Sequence, residues 1–250
     1  MLGRAYILII LIILYNIMST SVVSTYGSTT TEIFVHNNTE TVSNNMIGTN
    51  NFFEINFLDY IAKNYNHQTG ILDIGANIGN HSLFFAKFLN CDWVHSFEPF
   101  PQNIDLLKKN MSNYKDKSTI YEIALSNKEG KMPLYNSQAE NFGGYSLHSY
   151  ANGSSFMITP SIDVITLDSL NLNNISMIKI DVENHENEVL EGAKETILRN
   201  KPIIFIENLF YGYPDVCPNP NPHQKILNEL HYQRIETNIA GSLMDLWITN

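Results

Sequence analysis

Asp73, Gly75, Asn77 and Gly79 alternate along the stretch Gly70-Ile71-Leu72-Asp73-Ile74-Gly75-Ala76-Asn77-Ile78-Gly79-Asn80, and downstream Glu98 closes a second apolar run, Val94-His95-Ser96-Phe97. Glycines at a strand-to-helix turn let backbone approach a ligand where a side chain would clash. A carboxylate about 20 residues further on, at the tip of the next strand, suits the two hydroxyls of a ribose. The pattern therefore points to an adenosine-containing cofactor on a Rossmann-like sheet.

The elements needed to position these residues follow in order. Phe53, Phe57, Leu58 and Ile61 have helical spacing within 52–65. The alternation then begins: a strand over Ile71–Ile74, a helix over Asn80–Leu89, a strand over Trp93–Phe97, a helix opened by Pro101, and a strand over Thr119–Ile123. Residues 128–163, with Gly130, Gly143-Gly144 and Gly153, break the rhythm and read as an antiparallel hairpin with a mobile loop. Tyr145 and His148 in that loop are candidates for a lid over the crevice, against the commoner outcome of a solvent-exposed loop histidine. A strand at Ile175–Asp181, a helix at Glu186–Arg199 and a strand at Ile203–Glu207 resume the α/β order. A helix at His223–Leu230 and strands at Tyr232–Glu236 and Leu243–Ile248 close the chain. The expectation is a mostly parallel sheet, helices on both faces, and an antiparallel final strand. Trp93 and Trp247 sit on strand patterns and are assigned to the core.

With 250 residues, the chain holds one sizeable core and an N-terminal appendage. A formal net charge of -10 argues against a nucleic-acid partner, since that binding is driven by Lys and Arg displacing counterions. Cys91 and Cys217 are the two cysteines, too few for a zinc site or a disulfide framework; Cys91 is read as a semi-buried thiol. Arg4 and the apolar run Ala5–Leu14 resemble a secretory leader, too short for a span of about 20 residues unless extended through Ile17-Met18. The domain expectation is a signal peptide or signal anchor over 1–24, a Ser/Thr/Asn-rich low-complexity linker over 25–51 and a globular domain over 52–250. Residues 5–18 are the expected membrane attachment if the leader is retained. Sequons at Asn37, Asn110, Asn152 and Asn174 agree with a secretory lumen, but Asn80-His81-Ser82 also matches inside the cofactor turn, so bare matches weigh little.

Three ordered blocks resemble the FkbM-type S-adenosylmethionine-dependent methyltransferases. They are Leu72-Asp73-Ile74-Gly75-Ala76-Asn77-Ile78-Gly79; Ser96-Phe97-Glu98-Pro99; and Ile178-Lys179-Ile180-Asp181-Val182-Glu183 with Glu186, Val189-Leu190-Glu191-Gly192-Ala193 and the strand ending in Glu207. Thr166-Leu167-Asp168 has the family's spacing as well. The likeness spans Phe53 to Ile248. One departure is Asn184, where the family usually has glycine; Asn tolerates a left-handed backbone well.

The resemblance implies a class I methyltransferase fold with S-adenosyl-L-methionine at the carboxyl ends of the strands. Asp73, Gly75, Asn77 and Gly79 would surround its methionine part, with Asn80 in the same turn. Glu98 would hold the ribose, and Glu122, Ile123 and Ala124 would follow the strand that contacts adenine. A nicotinamide cofactor ranks behind, because the turn lacks Gly-x-Gly-x-x-Gly. Methyl transfer needs alignment of donor and acceptor, and for a hydroxyl acceptor also a base. Asp181, Glu183 and His185 are the candidates for that base. The structural alternative has Asp181 ordering the loop or holding the cofactor ammonium, while Glu183 and Glu186 cap the next helix. Asp181 and Glu207-Asn208 at adjacent strand ends raise a divalent metal as a further alternative, but no third ligand is visible and no metal is assigned. The expected acceptor is a hydroxyl of a glycan, lipid or secondary metabolite, in a secretory lumen, outside the cell or at a membrane. The rivals are a non-catalytic cofactor-binding module and a surface protein that keeps only the architecture.

Overall fold

The computed structural model describes residues 20–36, 40–136, 144–147, 156–208 and 222–249. Within them, β1 (Thr20–Tyr26) and β2 (Thr29–Val35) form a hairpin, followed by α1 (Thr41–Thr49) and α2 (Ile55–Asn64). Then come β3 (His67–Ile74), α3 (Asn80–Phe88), β4 (Asn90–Phe97), α4 (Pro101–Asn110) and β5 (Ser118–Tyr121). Strands β6 (Ala124–Leu125), β7 (Gly130–Asn136), β8 (Tyr145–Ser146) and β9 (Phe156–Ile165) make a small separate sheet ordered β6-β9-β7-β8. The chain re-enters the main sheet with β10 (Ile175–Ile180), and continues through α5 (Glu186–Glu191), α6 (Lys194–Asn200), β11 (Ile203–Glu207), α7 (Pro222–Glu229), β12 (Tyr232–Glu236) and β13 (Met244–Thr249).

The main sheet runs β12-β13-β11-β10-β3-β4-β5. Strands β11, β10, β3, β4 and β5 are parallel, and β13 enters antiparallel between β11 and β12. This is the Rossmann-like class I architecture expected from the sequence. Both faces are covered, so the strands read as continuous apolar runs. Ile71, Val94, Met177 and Phe205 face the layer containing α2, α3 and α4. Leu72, Ile74, Ile178, Ile180, Ile204 and Ile206 face α5, α6 and α7. Trp247 is buried and Trp93 packs at the margin of that second cluster.

Three expectations are corrected. The described residues of 25–51 are packed rather than a linker, and a boundary at 24 falls inside β1. Val22, Ile33, Val35 and Met46 join the main core, while Tyr26 and Phe52 meet the Phe84 ring edge-on at 4.9 and 5.3 Å. Apolar residues alternating with Ser and Thr fit a half-buried strand, and the two-residue turn Gly27-Ser28, with Gly27 at φ +59°, is a hairpin signal. The insertion at 128–163 contributes to a four-stranded sheet, not a bare hairpin. Finally, the helix expected over 186–199 is two helices separated at Gly192-Ala193, where Gly192 packs so closely that a Cβ would lie 2.0 Å from the Ser126 carbonyl oxygen.

Residues 1–19, including the apolar run, lie outside the described residues, as do Asn37, Gly143, His148, Asn152 and Cys217. Among the described residues no helix is long and apolar enough to cross a membrane.

Candidate active site

The strand ends are laced together before any side chain acts. Gly75 and Ala76 donate backbone N–H groups to the Phe97 carbonyl at 3.0 Å each, and Asp181 donates to the Ile74 carbonyl at 3.1 Å. Gly75 has φ +79°, and a Cβ there would sit 1.8 Å from the Asp181 carbonyl oxygen. Glycine is therefore required by the close approach of the β3 and β10 ends themselves, and any side chain at 75 would disrupt the fold as well as the site.

A cleft of about 250 Å³ opens at these ends. Gly75, Asn77, Glu98, Ala124, Asp181, Glu183 and His185 all line it. Four other expected cofactor residues do not. Asp73 is fully buried beneath the turn, accepting from the Ser82 hydroxyl at 2.6 Å and paired with Lys179 at 3.2 Å. Gly79 packs on Leu107. Asn80 spends its side chain on the Phe53 backbone, accepting at 3.0 Å and donating at 3.1 Å. Glu122 is half-exposed and pairs with Lys108. Their contribution is to hold the turn and its surroundings, a role that spacing alone does not separate from ligand contact.

At one end of the cleft, Glu98 is almost wholly removed from water. Its Oε2 accepts the Asn77 N–H at 2.9 Å, and its Oε1 accepts the Phe100 N–H at 2.9 Å and the Asn103 amide at 3.4 Å. Burial still pushes its pKa up to about 7, against these hydrogen bonds.

At the other end, Asp181, Glu183, Glu186 and Glu207 converge. Burial, reinforced by Asp181 and Glu186, pushes Glu183 up to about 8. Glu186 is pushed up to about 7, burial again dominating. Glu207 lies well above the carboxylate range through burial and the surrounding carboxylates. Its Oε2 has no hydrogen-bond partner, and neither does the Oδ1 of cleft-lining Asn77. Glu186 holds the turn, accepting Val182 and Asn184 N–H groups at 3.0 and 3.2 Å, whereas Glu183 faces the cleft. That turn is left-handed at both Glu183 (φ +54°) and Asn184 (φ +73°), so Asn184 does occupy a position that favours glycine. His185 is buried, with Nε2 3.0 Å from the Ser126 hydroxyl and Nδ1 3.6 Å from Glu188.

Lys179 joins the two ends. It is buried in the apolar strand β10, lies 3.2 Å from both Asp73 and Asp181, and donates to the Gly75 carbonyl at 2.9 Å. Burial favours loss of its proton, but Asp181 and Asp73 outweigh burial and raise its pKa above the usual lysine range. Its signal was present in Ile178-Lys179-Ile180: a lysine within a doubly covered strand needs partners. Asn103 and the segment Glu40-Thr41-Val42, which also lines the cleft, carried no comparable signal. Asp168 caps α6, accepting the Glu195 and Thr196 N–H groups at 3.1 and 2.7 Å. Asn208 donates to Asp245 at 3.0 Å. Among the described residues, no three His, Cys, Asp or Glu side chains are arranged to hold a metal ion.

Residues 73–234 match the Methyltransferase FkbM domain family model. A hexuronic acid methyltransferase, AglP, of Haloferax volcanii is 30% identical over 125 residues, covering 50% of this chain and 50% of that protein. A 2-O-methyltransferase, NoeI, of Sinorhizobium fredii is 26% identical over 147 residues, 52% of this chain and 60% of that one. The chain thus spans about half the length of the curated relatives it matches. Among solved structures, methyltransferase FkbM from Methylobacillus flagellatus is 19% identical over 72% of this chain and 43% of its own, with a TM-score of 0.48.

Proposed function

We propose, from the premise that this chain belongs to the FkbM methyltransferase domain family, that it transfers a methyl group from S-adenosyl-L-methionine to a hydroxyl oxygen of a glycan. The observation that carries the reading is the pairing, in one cleft, of a fixed carboxylate at the end of β4 with a proton-holding carboxylate beyond β10. The cleft fits the cofactor: Asn77 Oδ1 and Glu207 Oε2 are buried polar atoms without partners, and excess carboxylate suits a ligand carrying ammonium and sulfonium charges. When bound, the cofactor supplies an electrophilic methyl on a sulfonium, leaving as a neutral thioether.

Each residue then has a task. Glu98, already oriented by the Asn77 and Phe100 N–H groups, would hold the ribose by accepting from a hydroxyl at its free Oε2 position. Asp181, charge-balanced by Lys179, faces the ammonium end. Glu183 takes the acceptor's hydroxyl proton onto its carboxylate as the oxygen attacks, for which its pKa near 8 makes it strong enough as a base. His185 buttresses the turn through Ser126 and Glu188 rather than acting as the base. The apolar wall from Ile123, Leu125, Leu134 and Leu147 excludes water from the reacting groups.

A sugar acceptor is favoured because one curated relative is named for a hexuronic acid, and a hydroxyl oxygen because the other is named for methylation at a 2-O position. Lipid-linked glycans and secondary-metabolite hydroxyls remain within the proposal, whereas the net charge of -10 argues against nucleic acid. With the apolar run at 5–14 acting as leader or anchor, the site of action is a secretory lumen, the exterior or a membrane surface. The test is direct. Purified protein should bind S-adenosylhomocysteine in a calorimeter and transfer label from methyl-labelled cofactor into a neutral-glycan or glycolipid extract, with the label stable to base as an ether. Binding without transfer to any fraction would leave a cofactor-binding module in place of an enzyme.

A further inference from the structure

The segment ahead of the matched family region (73–234) reaches the cofactor end of the cleft by two routes. Thr41 and Val42 line the cleft beside Glu40, whose carboxylate caps α1 by accepting the Val42 and Ser43 N–H groups at 2.7 Å each. The second route runs through side chains to Glu98. Asn103, in the first turn of α4 and only 2% exposed, donates its amide to Glu98 Oε1, and its Oδ1 lies 2.9 Å from His36 Nε2. His36, just past β2, donates its own backbone N–H to the Ser43 hydroxyl of α1 at 3.1 Å. About two turns further along α4, Asn110 grips the same strand, accepting the Phe34 N–H at 2.7 Å and donating to the Phe34 carbonyl at 2.9 Å.

Asn110 thus ties β2 to α4 through both backbone groups of Phe34. Asn103 does something different, because its amide ends on the carboxylate that lines the cleft. A carboxylate presents several acceptor positions, and those left for a ligand depend on which are already occupied. With Oε2 holding the Asn77 N–H and Oε1 those of Phe100 and Asn103, the plane of Glu98 is set and the lone pair left on Oε2 has one orientation. His36 fixes which way the Asn103 amide points, since an imidazole N–H on Oδ1 leaves the NH₂ for Glu98.

We infer that Asn103, oriented by His36, is a positioning residue for Glu98, and that the hairpin and α1 are a working part of the cofactor site. The inference rests on the proposed cofactor reading, since it needs Glu98 to meet a ribose.

The experiment uses the full chain and calorimetric binding of S-adenosylhomocysteine, together with adenosine and 2′,3′-dideoxyadenosine as probes of the ribose contact. Asn103→Leu should weaken S-adenosylhomocysteine binding about tenfold, and His36→Leu about threefold. In a Glu98→Gln background, Asn103→Leu should weaken it by less than about twofold more, because the group it positions is already lost. The preference for adenosine over its dideoxy analogue should shrink in Asn103→Leu as it does in Glu98→Gln. A purely structural asparagine would weaken all three ligands alike and equally in both backgrounds, and either result overturns the inference. If Asn103→Leu does not fold, the same cycle with His36→Leu decides. Absence of S-adenosylhomocysteine binding by the unmodified protein removes both this inference and the cofactor reading, and so differs from failure of the coupling alone.

Discussion

Glu98 and Glu183 face the same cleft and are both drawn out of water, yet their surroundings are opposite. Glu98 is ringed by N–H donors, and its pKa near 7 reflects burial partly offset by those donors. Glu183 has carboxylates for neighbours, so burial and repulsion add and its pKa reaches about 8. The first arrangement is preorganised for binding: the carboxylate cannot turn, and a ligand meets a finished geometry. The second is poised to titrate, holding a proton that leaves when a cation arrives or the pH rises. On the proposed function, one end of the cleft recognises and the other exchanges protons.

Lys179 couples the ends, and removing it should have the largest effect. Lys179→Met leaves Asp73 and Asp181 without their buried counter-charge, which costs about 3–5 kcal/mol. Urea unfolding at neutral pH measures it. A variant within about 1 kcal/mol of the parent would mean that the two ends are stabilised independently.

Next in size is the split between the two carboxylates. Glu183→Gln should lower the transfer rate by about 10²–10⁴-fold while leaving S-adenosylhomocysteine affinity nearly intact, as expected of a base that acts in the transition state. In the parent enzyme kcat/KM should rise with pH through about 8, because the base works only when deprotonated, and that limb should vanish in the variant. Glu98→Gln should show the converse, weaker cofactor binding with less loss of rate at saturation. If Glu183→Gln keeps the acid limb, the base lies elsewhere in the cluster.

The same protons govern stability. For Glu183 and Glu186 the folded pKa values, about 8 and about 7, lie above the ordinary 4.5, so the folded state binds more protons than the unfolded one. Stability from these groups is fully present below about pH 4.5 and is lost as pH climbs to about 8. Thermal unfolding of the ligand-free protein should shift to lower temperature across that window, and Glu183→Gln should flatten the slope. A melting temperature that instead rises steadily from pH 5 to 8 contradicts the carboxylate crowding.

The recognition end was more legible in the sequence than the proton-exchanging end. Glycine turns and a carboxylate after an apolar strand are local signals, and β3, α3, β4 and α4 fall close to where the residues point. Local spacing does not report side-chain direction, however, so Asp73 and Asn80 turn into the scaffold although they flank the turn. That β10 and β11 are neighbours was legible from the α/β order, but the burial that raises Glu183, Glu186 and Glu207 is a tertiary fact that no local window holds. The hairpin was masked for another reason: Ser, Thr and Asn serve a half-buried strand as readily as a linker, and only the packing of Tyr26 on Phe84 and Phe88 decides between them.

Asn184 offers the smallest and most discriminating perturbation of the proton-exchanging end. Its φ of +73° suits glycine, but its contribution to the cluster is a backbone N–H to Glu186, which any residue except proline supplies. Asn184→Gly relieves a left-handed strain that is already mild for Asn, while adding freedom to the unfolded chain that opposes folding by about 0.4–1 kcal/mol. The two terms nearly cancel, so unfolding free energy should move by less than about 1 kcal/mol in either direction. S-adenosylhomocysteine affinity should hold within about twofold. A larger loss of affinity would place the Asn184 side chain among the ligand contacts. The turn would then belong to recognition as well as to proton exchange, and the division between the two ends of the cleft would have to be redrawn at Val182.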